Sequence, residues 1–318
     1  MIMPAEADSI NQAARLLAAG EIVAFPTETV YALGADAANA DAVAKVFAAK
    51  DRPGFNPLIS HAADISLLRT EALFDDRADR LAAHFWPGPL TLVLNKHPSA
   101  RGASITHAGL PSISVRIPAH PVALAMLEEF ARIGSGLVAA PSANRSNMLS
   151  PTTAQHVAEG LGDRVPLILD GGRTAVGVES TIIDLTGDVV RVLRPGGLAL
   201  ESIEALIGPC ASAAPGDKPI APGMLARHYA PQKPMRLNAR HATEDEAFLL
   251  FGSATANFGG RLRLNLSESG DTIEAAANLF DHLHRLELSD VAAIAVMPIP
   301  DIGLGVAIND RLRRGATP

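Results

Sequence analysis

Residues 21–34 read EIVAFPTETVYALG, and this stretch sets the class of the fold. Glu21 to Phe25 is a short apolar run of strand length, closed by Pro26. Pro26 to Gly34 then reads as a turn-rich segment carrying Thr27, Glu28, Thr29 and Tyr31. Upstream, Asp8 to Ala19 places Ile10, Ala13, Ala14 and Leu17 on one helical face, and Gly20 is a natural stop. Downstream, Asp41 to Lys50 is again helical. A strand between two helices predicts an α/β chain.

The same alternation continues outward. Leu58–Ser60, Thr91–Leu94, Ile113–Ile117, Leu137–Ala139 and Val165–Leu169 read as short strands. Helices are expected at Arg77–Phe85, Val122–Ile133 and Thr153–Leu161. Thr181–Leu185 and Val189–Leu193 read as a hairpin across Gly187-Asp188. These elements imply an α/β domain around a twisted sheet, spanning residues 1–208. Gly208 to Pro234 holds six prolines and no periodicity, so residues 209–234 read as a linker long enough to have a function. Strands at Phe248–Gly252, Arg261–Leu266 and Val291–Met297, with a helix at Thr272–Leu286, make residues 235–318 a smaller α/β domain.

The 318 residues are 48% apolar and carry a net charge of −7. Up to Gly208 there are 16 basic and 22 acidic residues, and beyond it 11 and 12, so neither half offers a broad nucleic-acid surface. One cysteine, Cys210, precludes an internal disulfide and fits a reducing cytoplasm. The first residues lack the basic and apolar regions of a signal peptide, and no run approaches membrane-helix length. No phosphate-binding glycine motif, zinc spacing or G-x-S-x-G is found.

Four polar clusters lie in loops or at strand ends. Thr27, Thr29 and Tyr31 either cap the following element or orient a small polar substrate. Lys50 and Arg52 close a helix and suit its dipole, but Arg52 precedes Pro53, so the pair also suits a polyphosphate beyond the helix end. Arg116 sits in a β-branched strand and must meet an anion, either an internal acid or a substrate carboxylate. Ala140 to Asn144 and Ser150 combine small residues with hydrogen-bonding groups, as a plain turn or as a close approach to a ligand. Ser180 and Arg194 add a hydroxyl and a cation. Charge neutralisation of a nucleotide fits these residues better than covalent catalysis.

Ordered motifs extend these clusters: AFPTETVYALG, KDRPGFNPLISH, WPGPLTLVL, SVRIPAHP, APSANRS, DGG, GVESTIID and LRPG, between Ile10 and Gly197. They resemble those of YrdC-like threonylcarbamoyl-AMP synthases. APGMLARHYAP and GLGVAINDRLRRGA resemble the linker and the end of the extra domain in the longer, two-domain members. The resemblance implies an open twisted mixed sheet with a deep cavity. It implies a tetrad of Lys50, Arg52, Ser142 and Asn144, with Asn56, Ser112, Ser150 and Arg194 also facing ATP. Thr29, His61, Arg116, Ala140 and Ser180 would surround L-threonine. The implied enzyme is a nucleotidyltransferase that joins L-threonine, bicarbonate and ATP, with Mg²⁺ carried on the phosphates. It would pass threonylcarbamoyl-AMP to a separate tRNA-modifying transferase, with no stable nucleic-acid complex of its own. Ala226 stands where longer members often carry an aromatic. The rival readings are a non-catalytic RNA-binding module and a carbamoyl-phosphate-using enzyme; the single cysteine opposes the latter's Cys-rich zinc motifs.

Overall fold

A computed structural model of the chain describes residues 1–54, 56–212, 220–223, 228–253 and 259–317. Among these residues, eleven strands form one mixed sheet. From one edge the order is Ile2–Pro4, Leu167–Asp170, Val23–Phe25, Ala32–Asp36, Val138–Ala139, Ile59–His61, Ser112–Arg116, Leu90–Asn95, Thr181–Asp184, Arg191–Arg194 and Ala211–Ser212. The expected hairpin after Thr181 is present, with Ile183 opposite Val192 in antiparallel register.

The stretch at residues 21–34 departs from its reading in one respect. The strand Ala32–Asp36 returns antiparallel along Val23–Phe25, with Phe25 opposite Ala32, so only Pro26–Tyr31 forms the loop. The Thr27, Glu28 and Thr29 cluster is thereby fixed at a hairpin end rather than left in a long turn. Thr27 Oγ1 donates to Val30 O at 2.6 Å and accepts from the Val30 N–H at 3.2 Å, which rigidifies the loop.

Helix Ala40–Lys50 begins at Asn39, whose side chain accepts from the backbone of Asp41 and Ala42. It ends at Asp51, which turns left-handed at φ 52°. A carboxylate there is anchored by Arg145 at 2.8 Å and Arg164 at 3.0 Å. That cap drops Lys50 inward and sends Arg52-Pro53 off the helix axis.

Beyond residue 208 the chain first adds Ala211–Ser212 beside Arg191–Val192, so the expected linker starts as a sheet edge. A second, four-stranded parallel sheet follows, ordered Met235–Arg236, Ala293–Val296, Glu246–Leu250, Leu262–Asn265. Helix Thr272–Leu288 and an unforeseen helix, Gly305–Gly315, pack with it. Its core is shared with the first sheet's loops: Val30, Leu149, Val178 and Tyr229 pack in the same cluster as Leu279, Phe280, Ile308 and Leu312. Polar ties cross the same boundary. His284 stacks on His156 at 4.0 Å, and Arg173 donates to Ala277 O at 2.7 Å.

Candidate active site

The sheet register gathers the polar clusters. Ile59–His61 runs parallel to Ser112–Arg116 with His61 beside Arg116, so both side chains leave the carboxyl ends of neighbouring strands. Crevices at such ends are where open α/β sheets bind ligands. Val138–Ala139 lies antiparallel on the other side of Ile59–His61 and feeds Ala140 and Ser142 into the same place. The resulting cavity is lined by Thr29, Arg52, His61, Arg116, Ala140, Ser142, Ser180 and Arg194, and also by Glu179. Pro222, Gly223, His228 and Tyr229 of the linker close it.

Its charges are held in place by hydrogen bonds. Arg116 Nη2 donates to Glu28 Oε1 at 2.7 Å and to Thr29 Oγ1 at 3.1 Å. Thus the strand arginine does meet an internal acid, one that lies outside the cavity lining. Arg194 Nε and Nη2 donate to Ser180 O at 3.1 and 2.9 Å, and Nη2 reaches Ser180 Oγ at 3.1 Å. Ser180 Oγ is 2.8 Å from Thr91 Oγ1. Gly196 makes this approach possible: a Cβ there would lie 2.3 Å from Glu179 O and 2.4 Å from the Ser180 carbonyl carbon. Arg52 turns back on its own loop, donating to Pro57 O at 2.9 Å and Asn56 O at 3.3 Å.

Lys50 is buried and its Nζ donates to Ser142 O at 2.5 Å and to Asn144 O. Burial, with Arg52 nearby, pushes its pKa well below that of a free lysine. Lys50 and Asn144 therefore sit behind the cavity wall, and both line a neighbouring cleft of about 630 Å³. Asn144 Oδ1 has no hydrogen-bond partner among the described residues. Asn56 lies beneath Arg52, Ser112 opens its strand opposite Asn95, and Ser150 donates to Glu179; none of the three lines the cavity in this conformation.

Electrostatics set the protonation states. Burial and the adjacent Arg116 lower His61 to about pKa 3, so its ring is neutral at pH 7. Burial works against ionisation of Glu179, but Arg311 and Arg194 overcome it and hold the carboxyl at about 2. Burial lowers Arg52 to about 10, with Arg194 adding to the effect. The cavity thus brings the cations Arg52, Arg116 and Arg194 together with the carboxylate of Glu179 and a few hydroxyls.

Described residues of the linker pack against that space. Tyr229 is buried, His228 packs against it at 3.9 Å between ring centroids, and Arg194 Nη1 points to Pro222 O at 3.5 Å. The remaining volume is about 40 Å³, far less than the roughly 300–1,000 Å³ of a small-molecule site. Ala226, singled out in the sequence, lies outside the described residues.

Sequence reasoning missed Arg311. It lies on helix Gly305–Gly315 and reaches Glu179 at 2.7 Å. The signal was the spacing of Leu304, Ile308, Arg311, Leu312 and Gly315, which puts an arginine on a buried stripe.

Comparisons with known proteins bear on the family and the fold. The family model described as Telomere recombination (Sua5/YciO/YrdC) matches residues 15–196. That described as Threonylcarbamoyl-AMP synthase, C-terminal domain, matches residues 198–317. The Bacillus subtilis threonylcarbamoyl-AMP synthase is 42% identical, over 96% of this chain and 92% of its own. That of Pyrococcus abyssi is 41% identical, over 96% and 94%. The crystal structure of P. abyssi Sua5 complexed with L-threonine superposes with a TM-score of 0.90, at 37% identity, covering 99% of this chain and 97% of that one. Escherichia coli YciO matches 59% of this chain, and 88% of its own, with a TM-score of 0.52 at 25% identity. With both family models matched in order and relatives aligned along nearly their full lengths, the chain belongs to the Sua5/YciO/YrdC family, in its two-domain form.

Proposed function

We infer that the chain is a threonylcarbamoyl-AMP synthase, a nucleotidyltransferase that converts L-threonine, bicarbonate and ATP to threonylcarbamoyl-AMP and pyrophosphate. The observation that carries the reading is the juxtaposition of Arg116, His61 and Ser180 with Arg52 and Arg194 in one cavity at the strand ends. An amino acid needs a cation for its carboxylate and small hydroxyls for its polar groups; a triphosphate needs several cations. Both sets are here, a few side chains apart.

In this reading the threonine carboxylate lies against Arg116, with Thr29, His61, Ala140 and Ser180 around it. Neutral His61 accepts or donates a hydrogen bond without adding charge. The amine of threonine and bicarbonate condense to a carbamate with loss of water. A carbamate oxygen then attacks the α-phosphorus of ATP, and pyrophosphate leaves. Arg52 and Arg194 offset the charge that grows on the phosphates, and Lys50 acts through the Ser142–Asn144 loop it holds. Asn56, Ser112, Ser142, Ser150 and Asn144 complete the nucleotide side once the linker withdraws. Among the described residues no group of three or more His, Cys, Asp or Glu has the geometry to hold a metal. In this reading Mg²⁺ arrives on the phosphates of ATP.

Residues 1–208 act as the catalytic body and 235–318 as its support. The described linker residues Pro222, Gly223, His228 and Tyr229 form a cover that shifts to admit ATP and then closes over the bound nucleotide, which would hold it in place and keep water from the adenylate. The product passes to a tRNA threonylcarbamoyl transferase in the cytoplasm. No described helix is long and apolar enough to cross a membrane. The deciding experiment is pyrophosphate release from ATP with threonine and bicarbonate supplied or omitted. Release should need both, and equal release with both omitted would refute the reading.

A further inference from the structure

Arg311 is fully buried, and it is the point at which the catalytic sheet, the linker and the second domain meet. Its Nε donates to Glu179 Oε2 at 2.7 Å and its Nη1 to Asp310 Oδ2 at 2.7 Å. The guanidinium carbon lies 4.8 Å from the ring centroid of Tyr229, within cation–π range. Its Nη2 has no hydrogen-bond partner among the described residues. The other oxygen of Glu179 accepts from Ser150 Oγ. The helix that carries Arg311 is brought close by Gly315, where a Cβ would lie 2.8 Å from Tyr229 O. Tyr229 itself adopts φ 60°, a left-handed conformation unfavourable for a bulky side chain, which tight surroundings must hold.

The chemistry of the cavity gives this arrangement a purpose. Glu179 is a desolvated carboxylate on the wall of a cavity that has to accept a polyphosphate. Left unpaired, it would repel the phosphates and draw Arg194 away from them. Arg311 cancels that charge from behind, outside the cavity lining, so the cations facing inward stay available. A buried ion pair returns little net stability for its desolvation, so its value here lies in placement.

We propose that Arg311 is a positioning residue for the adenylate-forming reaction: from the second domain it neutralises and aims Glu179 and braces Tyr229, and so sets the cavity's affinity for the nucleotide. The proposal rests on the synthase reading above. Its test is direct ATP binding by calorimetry, which does not depend on turnover. Absent pyrophosphate release by the wild-type chain would refute the synthase reading, whereas the binding series judges Arg311.

In the full chain, Arg311→Met should weaken ATP binding at least tenfold, while the KM for threonine stays within about twofold. Arg311→Lys, which keeps the charge, should remain within about threefold of wild type. Glu179→Gln should act in the opposite direction and tighten ATP binding at least threefold, because the cavity wall then loses its negative charge while Arg311 keeps its pair with Asp310. The double variant Arg311→Met/Glu179→Gln should return to within about threefold of wild type. Unchanged ATP binding in Arg311→Met would overturn the proposal, as would weaker binding in Glu179→Gln. Should Arg311→Met not fold, the sign of the change in Glu179→Gln decides alone, since a purely structural pair gives no gain when broken.

Discussion

Glu28 backs Arg116, which lines the cavity, Oε1 to Nη2 at 2.7 Å, with 8% and 4% of their surfaces exposed. Glu28 Oε2 has no partner among the described residues. The arginine is thus held rigidly by a carboxylate on one side while it stands ready for a second carboxylate on the other. On the proposed function, removing it takes away the anchor for the threonine carboxylate and strands a buried acid. Arg116→Ala should raise the KM for threonine roughly 100- to 1,000-fold, the equivalent of about 3–4 kcal/mol. ATP affinity should move much less. A threonine titration followed by pyrophosphate release checks this; a KM within threefold of wild type would remove Arg116 from the threonine site.

Lys50 and Arg52 should separate in their effects. Lys50→Ala and Arg52→Ala should each lower kcat at least tenfold at saturating ATP, about 1.4 kcal/mol or more of lost transition-state stabilisation. Lys50→Ala should also lower Tm by several degrees, because Nζ bridges Ser142 O and Asn144 O inside the protein. Thermal melts beside single-turnover kinetics distinguish the two roles. Wild-type turnover in either variant would exclude that residue from the transition state.

Serine should be a poor alternative to threonine. Ala32, Ile59 and Ala140 line the cavity and supply an apolar wall that a methyl group can fill. The lost contact is worth about 1–3 kcal/mol, or roughly 10–200-fold in kcat/KM. Competition between the two amino acids in one reaction measures it directly, and parity would mean that the methyl group is not sensed.

Acid should destabilise the protein earlier than its carboxylates alone would predict. Burial is the main cause that pushes His61 and His228 down to about pKa 3 and His156 to about 4. All three therefore stay neutral in the folded state while the unfolded chain takes up protons near pH 6.5. Their stabilising contribution is complete above pH 6.5 and falls as pH drops toward the folded values. The slope approaches about 4 kcal/mol per pH unit if all three act. Glu179, with folded pKa about 2 against 4.5, adds a further loss below pH 4.5. Tm measured from pH 8 to pH 4 should be level at first and drop steeply below 6.5; a flat profile down to pH 5 would contradict this.

Truncation after Gly208 should cost both ATP affinity and stability. It removes Arg311 and Tyr229 and uncovers Val30, Leu149 and Val178, which pack in the second domain's core. Each such side chain is worth about 1.5–3 kcal/mol when buried. The truncated domain should melt well below the full chain and bind ATP more weakly. Equal melting and equal affinity would reduce everything beyond residue 208 to an appendage.

Much of the site was legible because its residues sit in ordered, polar loops between apolar strands. Arg116 could be picked out as a cation within a β-branched strand, and Arg52 because Pro53 forces the chain off the helix. The strand Ala32–Asp36 was hidden by its glycine and by the turn residues before it. Helix Gly305–Gly315 was hidden by its charge, since Asp310, Arg311, Arg313 and Arg314 dilute its apolar stripe. No local pattern could reveal that Arg311 pairs with Glu179, because the two are 132 positions apart and only the packed fold brings them together. The same holds for Lys50, whose carbonyl partners lie 92 and 94 residues away.

The edge strand Ile2–Pro4 has a consequence for how the chain acquires its shape. It pairs with Leu167–Asp170, Ile2 opposite Ile168, so the first strand made is completed by one of the last in that sheet. Val23–Phe25 likewise waits for Leu167–Ile168. Pairings this distant must bear their loop-closure entropy before they gain any contact energy, and such topologies fold slowly. During synthesis, Ile2–Pro4 must therefore wait for its partner, and Val23–Phe25 is paired on one side only, with Ala32–Asp36. Folding of this protein should be paced by closure of that edge, and its half-made forms are the ones most exposed to aggregation and most in need of chaperones.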